Sequence, residues 1–136
     1  MDRTEVVEFI HQHHRAILLT RRRDGSAQLS PIVAAVDTDG RVVVSSRETA
    51  MKVKNTRRDG NVSLCVFSDD FFGPWIQVDG TAEVLSLPGA MDALVGYYRL
   101  VSGEHPDWDE YRAAMTSEKR VLLAITVTRA GPDLSG

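Results

Sequence analysis

Apolar residues in this chain gather into short runs separated by turn chemistry, and most runs are too short for helices. Ala16-Ile17-Leu18-Leu19-Thr20 reads as a strand, and Arg23-Asp24-Gly25-Ser26 follows as a tight turn. An Asp-Gly pair supplies the positive φ angles that a hairpin needs. The return strand runs from Gln28 to Val36 and contains Pro31, which cannot donate to a central ladder, so this strand is expected at an edge or bulged there. Asp37-Thr38-Asp39-Gly40 makes a second hairpin turn into a third strand, Arg41 to Ser46. Val62 to Phe67 and Trp75 to Leu85 read as the fourth and fifth strands, the latter broken by Gly80, and the apolar run Val121 to Val127 as the sixth.

Helical patterns interrupt this series. Val6, Val7, Phe9 and Ile10 suggest a short opening helix capped by Asp2 or Thr4. Glu48 to Arg58 is a polar, strongly basic helix whose few apolar contacts are Ala50, Met51 and Val53, stopped by Asp59-Gly60-Asn61. Two more helices are expected, from Pro88 to about Val101 and from Pro106 through Met115. Hairpin turns dominate the first half and imply antiparallel pairing, which argues against a doubly wound fold. One domain is expected: a small six-stranded antiparallel barrel with helical elaborations.

Composition narrows the class. Of 136 residues, 43% are hydrophobic and 26% charged, as in a soluble globular protein. A formal charge of −3 gives no reason to expect nucleic acid or a membrane as partner. No apolar run approaches the roughly 20 residues that span a bilayer. The opening Met1-Asp2-Arg3-Thr4-Glu5 is acidic and then amphipathic, unlike a signal peptide. The single cysteine, Cys65, excludes an internal disulfide, fits a reducing compartment such as the cytoplasm, and reads as an inert strand residue.

Three segments carry candidate chemistry. In Ser45-Ser46-Arg47-Glu48-Thr49-Ala50-Met51-Lys52-Val53-Lys54-Asn55, a strand runs through two hydroxyls and an arginine into the first turn of a helix. Helix N-termini attract anions, and Arg47 with Lys52 around that turn would make a phosphate clamp. In Gln28-Leu29-Ser30-Pro31-Ile32, the polar Gln28 and Ser30 share one face with Ile32 and are placed to hydrogen-bond a planar heterocycle. Trp75 and Gln77 stand on the fifth strand ahead of Asp79-Gly80. Taken alone, these three patterns read first as a solvated basic helix face, a polar edge strand and core or interface aromatic mass. His11, His13 and His14 have no carboxylate or cysteine at ligand spacing, and no metal site is expected there. The chain has no Walker loop, GxGxxG, nucleophile elbow or HExxH.

The order of these segments resembles the pyridoxamine-phosphate-oxidase-like split-barrel superfamily. The stretches that carry the resemblance are Gly25 to Pro31, Lys52 to Asp59, and Trp75-Ile76-Gln77-Val78-Asp79-Gly80-Thr81-Ala82. A late block, Gly103-Glu104-His105-Pro106-Asp107-Trp108-Asp109-Glu110-Tyr111-Arg112 followed by Arg120-Val121-Leu122-Leu123, is similar to the actinobacterial F-420-dependent reductases within it. The resemblance spans residues from about 6 to 127. It implies a split barrel that dimerises, with one cofactor site per protomer built across the interface. By the same resemblance, Lys52 with Arg47, Ser46 and Ser45 would meet the cofactor phosphate, flanked by Met51 and Asn55. Gln28, Ser30 and Pro31 would line the ring system. Trp75 and Gln77 would form a wall supplied by the partner protomer, and Arg57 and Lys54 would meet the acidic tail of F-420. No Arg-x-His clasp stands at Thr128-Arg129-Ala130-Gly131-Pro132, which argues against a vitamin B6 substrate, and the ending Pro132 to Gly136 is unlike that of the subgroup.

The expected function is therefore hydride transfer from reduced F-420 to an unsaturated small molecule, with no catalytic side chain assigned. An FMN-dependent oxidoreductase on the same fold, and a non-enzymatic carrier of F-420 or haem, are the alternatives. A homodimer is expected, on the grounds that Tyr97, Tyr98, Trp108 and Tyr111 supply more apolar surface than one small barrel hides.

Overall fold

A computed structural model describes residues 1–132. The strand β1 (Arg15–Arg21) alternates buried and exposed side chains, as expected of a chain with one face on a core. It turns at positive-φ Gly25 into β2 (Ala27–Val33), pairing Leu18 with Ser30 and Thr20 with Gln28. One residue, Ala34, then separates β2 from β3 (Ala35–Val36), which pairs with β4 (Val42–Arg47) instead of with β1. The remaining strands are β5 (Asn61–Phe67), β6 (Trp75–Ser86) and β7 (Arg120–Gly131). All pairings are antiparallel, in the order β2-β1-β5-β6-β7-β4-β3.

Among the described residues there are thus seven strands where the sequence pattern predicts six. The segment Gln28 to Val36, read as one strand, changes partner at Ala34. The amide of Ala34 donates to the His14 carbonyl at 2.7 Å, and its carbonyl accepts from His14 Nδ1 at 2.7 Å. His14 therefore holds both sides of the switch point, and its Nδ1 carries the proton. Because the first and last strands of the order are consecutive in the chain, the sheet curls until one residue links its two ends. On the open side of that seam, the Tyr97 hydroxyl donates to the Val33 carbonyl at 2.7 Å and lies against the Ser45 backbone.

Inside the curl, Leu18, Val36, Val44, Leu64, Ile76, Val78, Leu123 and Ile125 are fully buried. The helix α1 (Arg3–Gln12), capped by Asp2 in a capping box with Glu5, contributes Val6 and Ile10 to this core. A second cluster lies on the other face of β3, β4 and β7, where Ala35, Val43, Leu122 and Ala124 meet α3 (Met91–Ser102) and α4 (Trp108–Ser117). Both faces of β7 are buried from Val121 to Ile125, which is why that stretch reads as an unbroken apolar run. Tyr98, Trp108, Tyr111 and His105 pack on one another in edge-to-face and tilted pairs, with ring centroids between 5.1 and 5.8 Å apart. These aromatics pack on one another within the chain, and Tyr98 and Trp108 stay partly exposed.

Helix starts differ from the pattern by two or three residues. The helix α2 (Met51–Arg58) begins after a turn in which Ala50 N bonds Arg47 O, and α4 begins after Asp107, whose side chain accepts from Glu110 N. The register of β6 against β7 shifts between Asp79 and Gly80, the bulge that Gly80 signals. A Cβ at Gly80 would collide with the Thr126 carbonyl and stand 2.7 Å from Ile125 Cγ2.

Two stability measurements check this account. Gly80→Ala should cost about 1–3 kcal/mol, the usual range for forcing a methyl into closed space, read from urea unfolding midpoints. His14→Leu leaves the buried Ala34 carbonyl unpaired and should cost about 1–3 kcal/mol, whereas His13→Leu, at a position whose ring only stacks on Phe9, should cost less.

Candidate functional site

The end of β4 and the start of β7 are tied by Glu48 N donating to Lys119 O at 2.9 Å. This brings Arg47, Glu118 and Arg120 together in front of α2. Arg120 holds Glu118 at 2.9 Å, and Arg47 reaches the same carboxylate at 3.4 Å. These two cations keep the Glu118 carboxyl below its ordinary range, Arg120 by its hydrogen bond first. Lys52, on the first turn of α2, is half-buried. Its ammonium has no hydrogen bond or ion pair among the described residues. Burial pushes its pKa down from 10.5, and the positive charge of Arg120 pushes it further the same way. Two cations therefore share one carboxylate, and a third, half-buried beside Arg120, has no partner among the described residues.

The helix start adds to this field. Ala50, the N-cap, has no side chain able to bond the first-turn amides, so the positive end of α2 is left uncapped beside Lys52. Ser46 is nearly buried at the end of β4, and Ser45, half-buried, precedes it. Unbalanced cations, an uncapped helix start and the hydroxyls at the end of β4 are groups of the kind that could hold a phosphate or another compact anion.

Behind the helix lies a polar contact that pure core packing does not require. Asn55, fully buried, donates from Nδ2 to Thr20 Oγ1 at 3.2 Å and to Gln28 Oε1 at 3.5 Å. Thr20 also donates to Gln28 Oε1 at 3.1 Å, and Arg58 donates to Asn55 Oδ1 at 2.9 Å. Asn55 and Gln28 thus fasten α2 to β1 and β2 and fix where Lys52 stands. Ser30, one side-chain repeat along from Gln28 and about 7 Å away, has a buried Oγ with no partner. A buried hydroxyl is normally satisfied, and an orphan of this kind marks a place for an absent hydrogen-bonding group. Pro31 and Met51 are exposed nearby.

The remaining residues expected at the site stand elsewhere or are engaged. Arg57 pairs with Glu48 at 2.8 Å and donates to Ser86 at 3.0 Å. Lys54 is exposed and lines a separate groove with Arg22, Arg23 and Arg58. Trp75 and Gln77 begin β6, whose other end, Ser86, is the one that reaches Arg57; at about 3.3 Å per residue the strand runs up to roughly 36 Å. Gln77 donates to Asp79 at 3.1 Å. Within one chain they do not meet Lys52. The ending after Pro132, expected to bear on substrate contacts, lies outside the described residues.

Sequence reasoning overlooked Arg120, Glu118 and Thr20. Glu118 and Arg120 sit 66 and 68 residues from Lys52, and nothing local marks them. Thr20 did leave a signal: period two places it on the same face as the buried Ala16 and Leu18, directly across from Gln28.

Comparison with known proteins agrees with this fold. A crystal structure of a conserved hypothetical protein from Mycobacterium tuberculosis is 24% identical and superimposes with a TM-score of 0.77, covering 100% of this chain and 92% of that one. A structure named as an F-420 reductase is 18% identical, with a TM-score of 0.70 over 91% of this chain and 94% of that chain. General Stress Protein 26 of Bacillus anthracis is 12% identical, with a TM-score of 0.65 over 94% of this chain and 90% of its own. At these identities the likeness is one of fold. The family model described as pyridoxamine 5'-phosphate oxidase matches residues 3–131, and the chain belongs to that family.

Proposed function

We propose that this chain is an F-420-dependent oxidoreductase that passes a hydride between the deazaflavin and an unsaturated small molecule, working as a homodimer in the cytoplasm. The observation that carries this reading is the half-buried Lys52 ammonium, unpaired beside Arg120 at the uncapped start of α2. Such a centre suits a cofactor phosphate. The orphaned Ser30 Oγ, on the strand fastened to α2 through Gln28 and Asn55, suits a ring edge bearing hydrogen-bonding groups. The residues present thus fit a phosphate-bearing flavin or deazaflavin.

When bound, that ring supplies the hydride chemistry. The chain's own residues bind and orient it. Lys52, Arg47 and Arg120 take the negative charge, Asn55 and Gln28 hold the helix and strand that frame the site, and Ser30 offers a hydroxyl from β2. FMN carries a phosphate too and would be held by the same cations, so FMN-dependent chemistry is the second reading. Exposed Leu29, Val33 and Met51 on β2 and α2 leave apolar surface next to the site for a second protomer to cover.

Titrating the purified protein with F-420 and with FMN side by side tests the cofactor. F-420 should bind more tightly; FMN tighter by tenfold, about 1.4 kcal/mol, would favour the second reading. Lys52→Ala should weaken cofactor binding by about ten- to a hundredfold, the worth of a charge-assisted hydrogen bond shielded from bulk water, without altering the unfolding midpoint. Lys54→Ala, whose side chain faces another groove, should change little. Equal and small losses in both variants would remove Lys52 from the site.

The same lysine sets a pH dependence. Burial and Arg120 lower the folded-state pKa in the free protein, and a bound anion favours the charged form. Binding at alkaline pH should therefore take up protons, and affinity should fall as pH rises toward 10.5. Isothermal titration in two buffers of different ionisation enthalpy would measure that uptake, and Lys52→Ala should abolish it.

A further inference from the structure

Between β5 and β6 the chain makes a loop, Ser68-Asp69-Asp70-Phe71-Phe72-Gly73-Pro74, that presents two phenyl rings to solvent. Phe71 is 74% exposed and Phe72 is 90% exposed. The loop is held in shape from within. Ser68 Oγ and Gly73 N both donate to the Asp70 carbonyl at 2.9 Å, and Phe72 N donates to Asp70 Oδ1 at 3.3 Å. The rings stack edge-to-face at 5.1 Å, and Phe71 leans on Phe67 at 6.3 Å. A built turn that keeps its two largest apolar side chains in water is arranged for contact with something else.

At the far end of β1 lies a surface of matching character. Arg22, Arg23, Lys54 and Arg58 rim a groove of about 440 Å³ that Met51, 52% exposed, helps to line. Asp24 is the one acidic residue lining the groove, and its carboxylate accepts from Ser26. The loop carries the opposite sign. Asp69 has only an exposed contact of 3.5 Å with Arg15, and Asp70 stands next to it. Arg15 begins β1 and Arg21 ends it, so loop and groove lie about 20 Å apart at opposite ends of one strand. They cannot meet within a chain. A two-fold axis perpendicular to β1 sets each end of one copy against the opposite end of the other, and the contact closes on itself.

We propose that the Phe71–Phe72 loop of one protomer docks in the Met51 groove of a second copy, and reciprocally. Phenyl rings cover Met51 while Asp69 and Asp70 face the arginines and Lys54. Because Met51 adjoins Lys52, the docked rings become an apolar cap beside the anion site of the other chain and shield it from water. The proposal rests on the reading of the protein as a homodimer with its cofactor at α2, and it assigns the residues that make that dimer.

Sedimentation equilibrium of cofactor-free protein tests it. The unmodified protein should be a dimer at micromolar concentration. Phe71→Ser with Phe72→Ser should weaken dimerisation by about a hundredfold, as loss of a central aromatic anchor does. Asp69→Lys with Asp70→Lys, and separately Arg23→Glu with Lys54→Glu, should each weaken it by about tenfold or more, and combining the two pairs should restore most of the loss. All four loop residues are exposed, so unchanged thermal midpoints of monomeric fractions will separate lost docking from lost folding. A monomeric unmodified protein, an unchanged dimer in the Phe71/Phe72 variant, or the absence of rescue in the combined variant overturns the proposal. Cofactor titration is read independently. Normal F-420 or FMN binding by a protein whose dimer ignores these changes leaves the function standing and removes the docking. Charge-swap rescue in a protein that binds neither cofactor does the reverse.

Discussion

The architecture depends on what happens at Ala34. A chain that pairs with β1 up to Val33 and with β4 from Ala35 has changed neighbour within a single residue, and a backbone unit at such a point loses both ladders at once. The cost of burying its amide and carbonyl unpaired would be a few kcal/mol. His14 removes that cost from both sides, the carbonyl of its main chain taking the Ala34 amide and its ring donating to the Ala34 oxygen. Once that switch is secured, the first and last strands of the sheet become neighbours through the chain, and the curl has an inside. That interior is what buries Val6 and Ile10 of α1, and its outer face over β4 and β7 is what gives α3 and α4 a place to pack.

The candidate site is a by-product of the same closure. Tight turning at the ends of β4 and β7 gathers Arg47, Glu118 and Arg120 around the start of α2, and the polar contacts of Asn55 with Thr20 and Gln28 hold that helix at a fixed depth. The cations are kept close by rigid elements, although they repel one another. A protein gains no stability from a partly buried lysine beside an arginine. Such an arrangement is understandable when an anion from outside completes it, and the family membership of the chain makes a phosphate-bearing cofactor the natural candidate.

Much of this was legible in the sequence, for reasons that differ from element to element. Asp24-Gly25 announced the first hairpin because only a few residues accept positive φ, and Gly80 announced the bulge because no Cβ fits against Thr126. Pro31 placed its strand at an edge, where it lies. The seventh strand was not legible: Gln28 to Val36 carries a continuous strand pattern, and the break comes from a histidine twenty residues earlier. The mutual packing of Tyr98, Trp108 and Tyr111 was not legible for a related reason. Composition shows that aromatic surface exists, and only tertiary packing shows which element covers it. Lys52 was marked by its place at a helix start, whereas Arg120, its electrostatic neighbour, is separated from it by the whole of β5, β6, α3 and α4.

Pro31 has a further consequence. β2 is the first strand of the sheet order, so its outer side is a row of backbone groups with no strand beside it. Exposed edges of this kind recruit strands from other molecules, and the apolar Leu29 and Val33 on the same segment would make the recruitment adhesive. A proline between them interrupts the row of donors, so an incoming strand meets a gap midway along the edge. Whatever it contributes to a ligand, the ring of Pro31 therefore acts as a guard against fibrous self-assembly, on a strand that has to stay open for specific contacts.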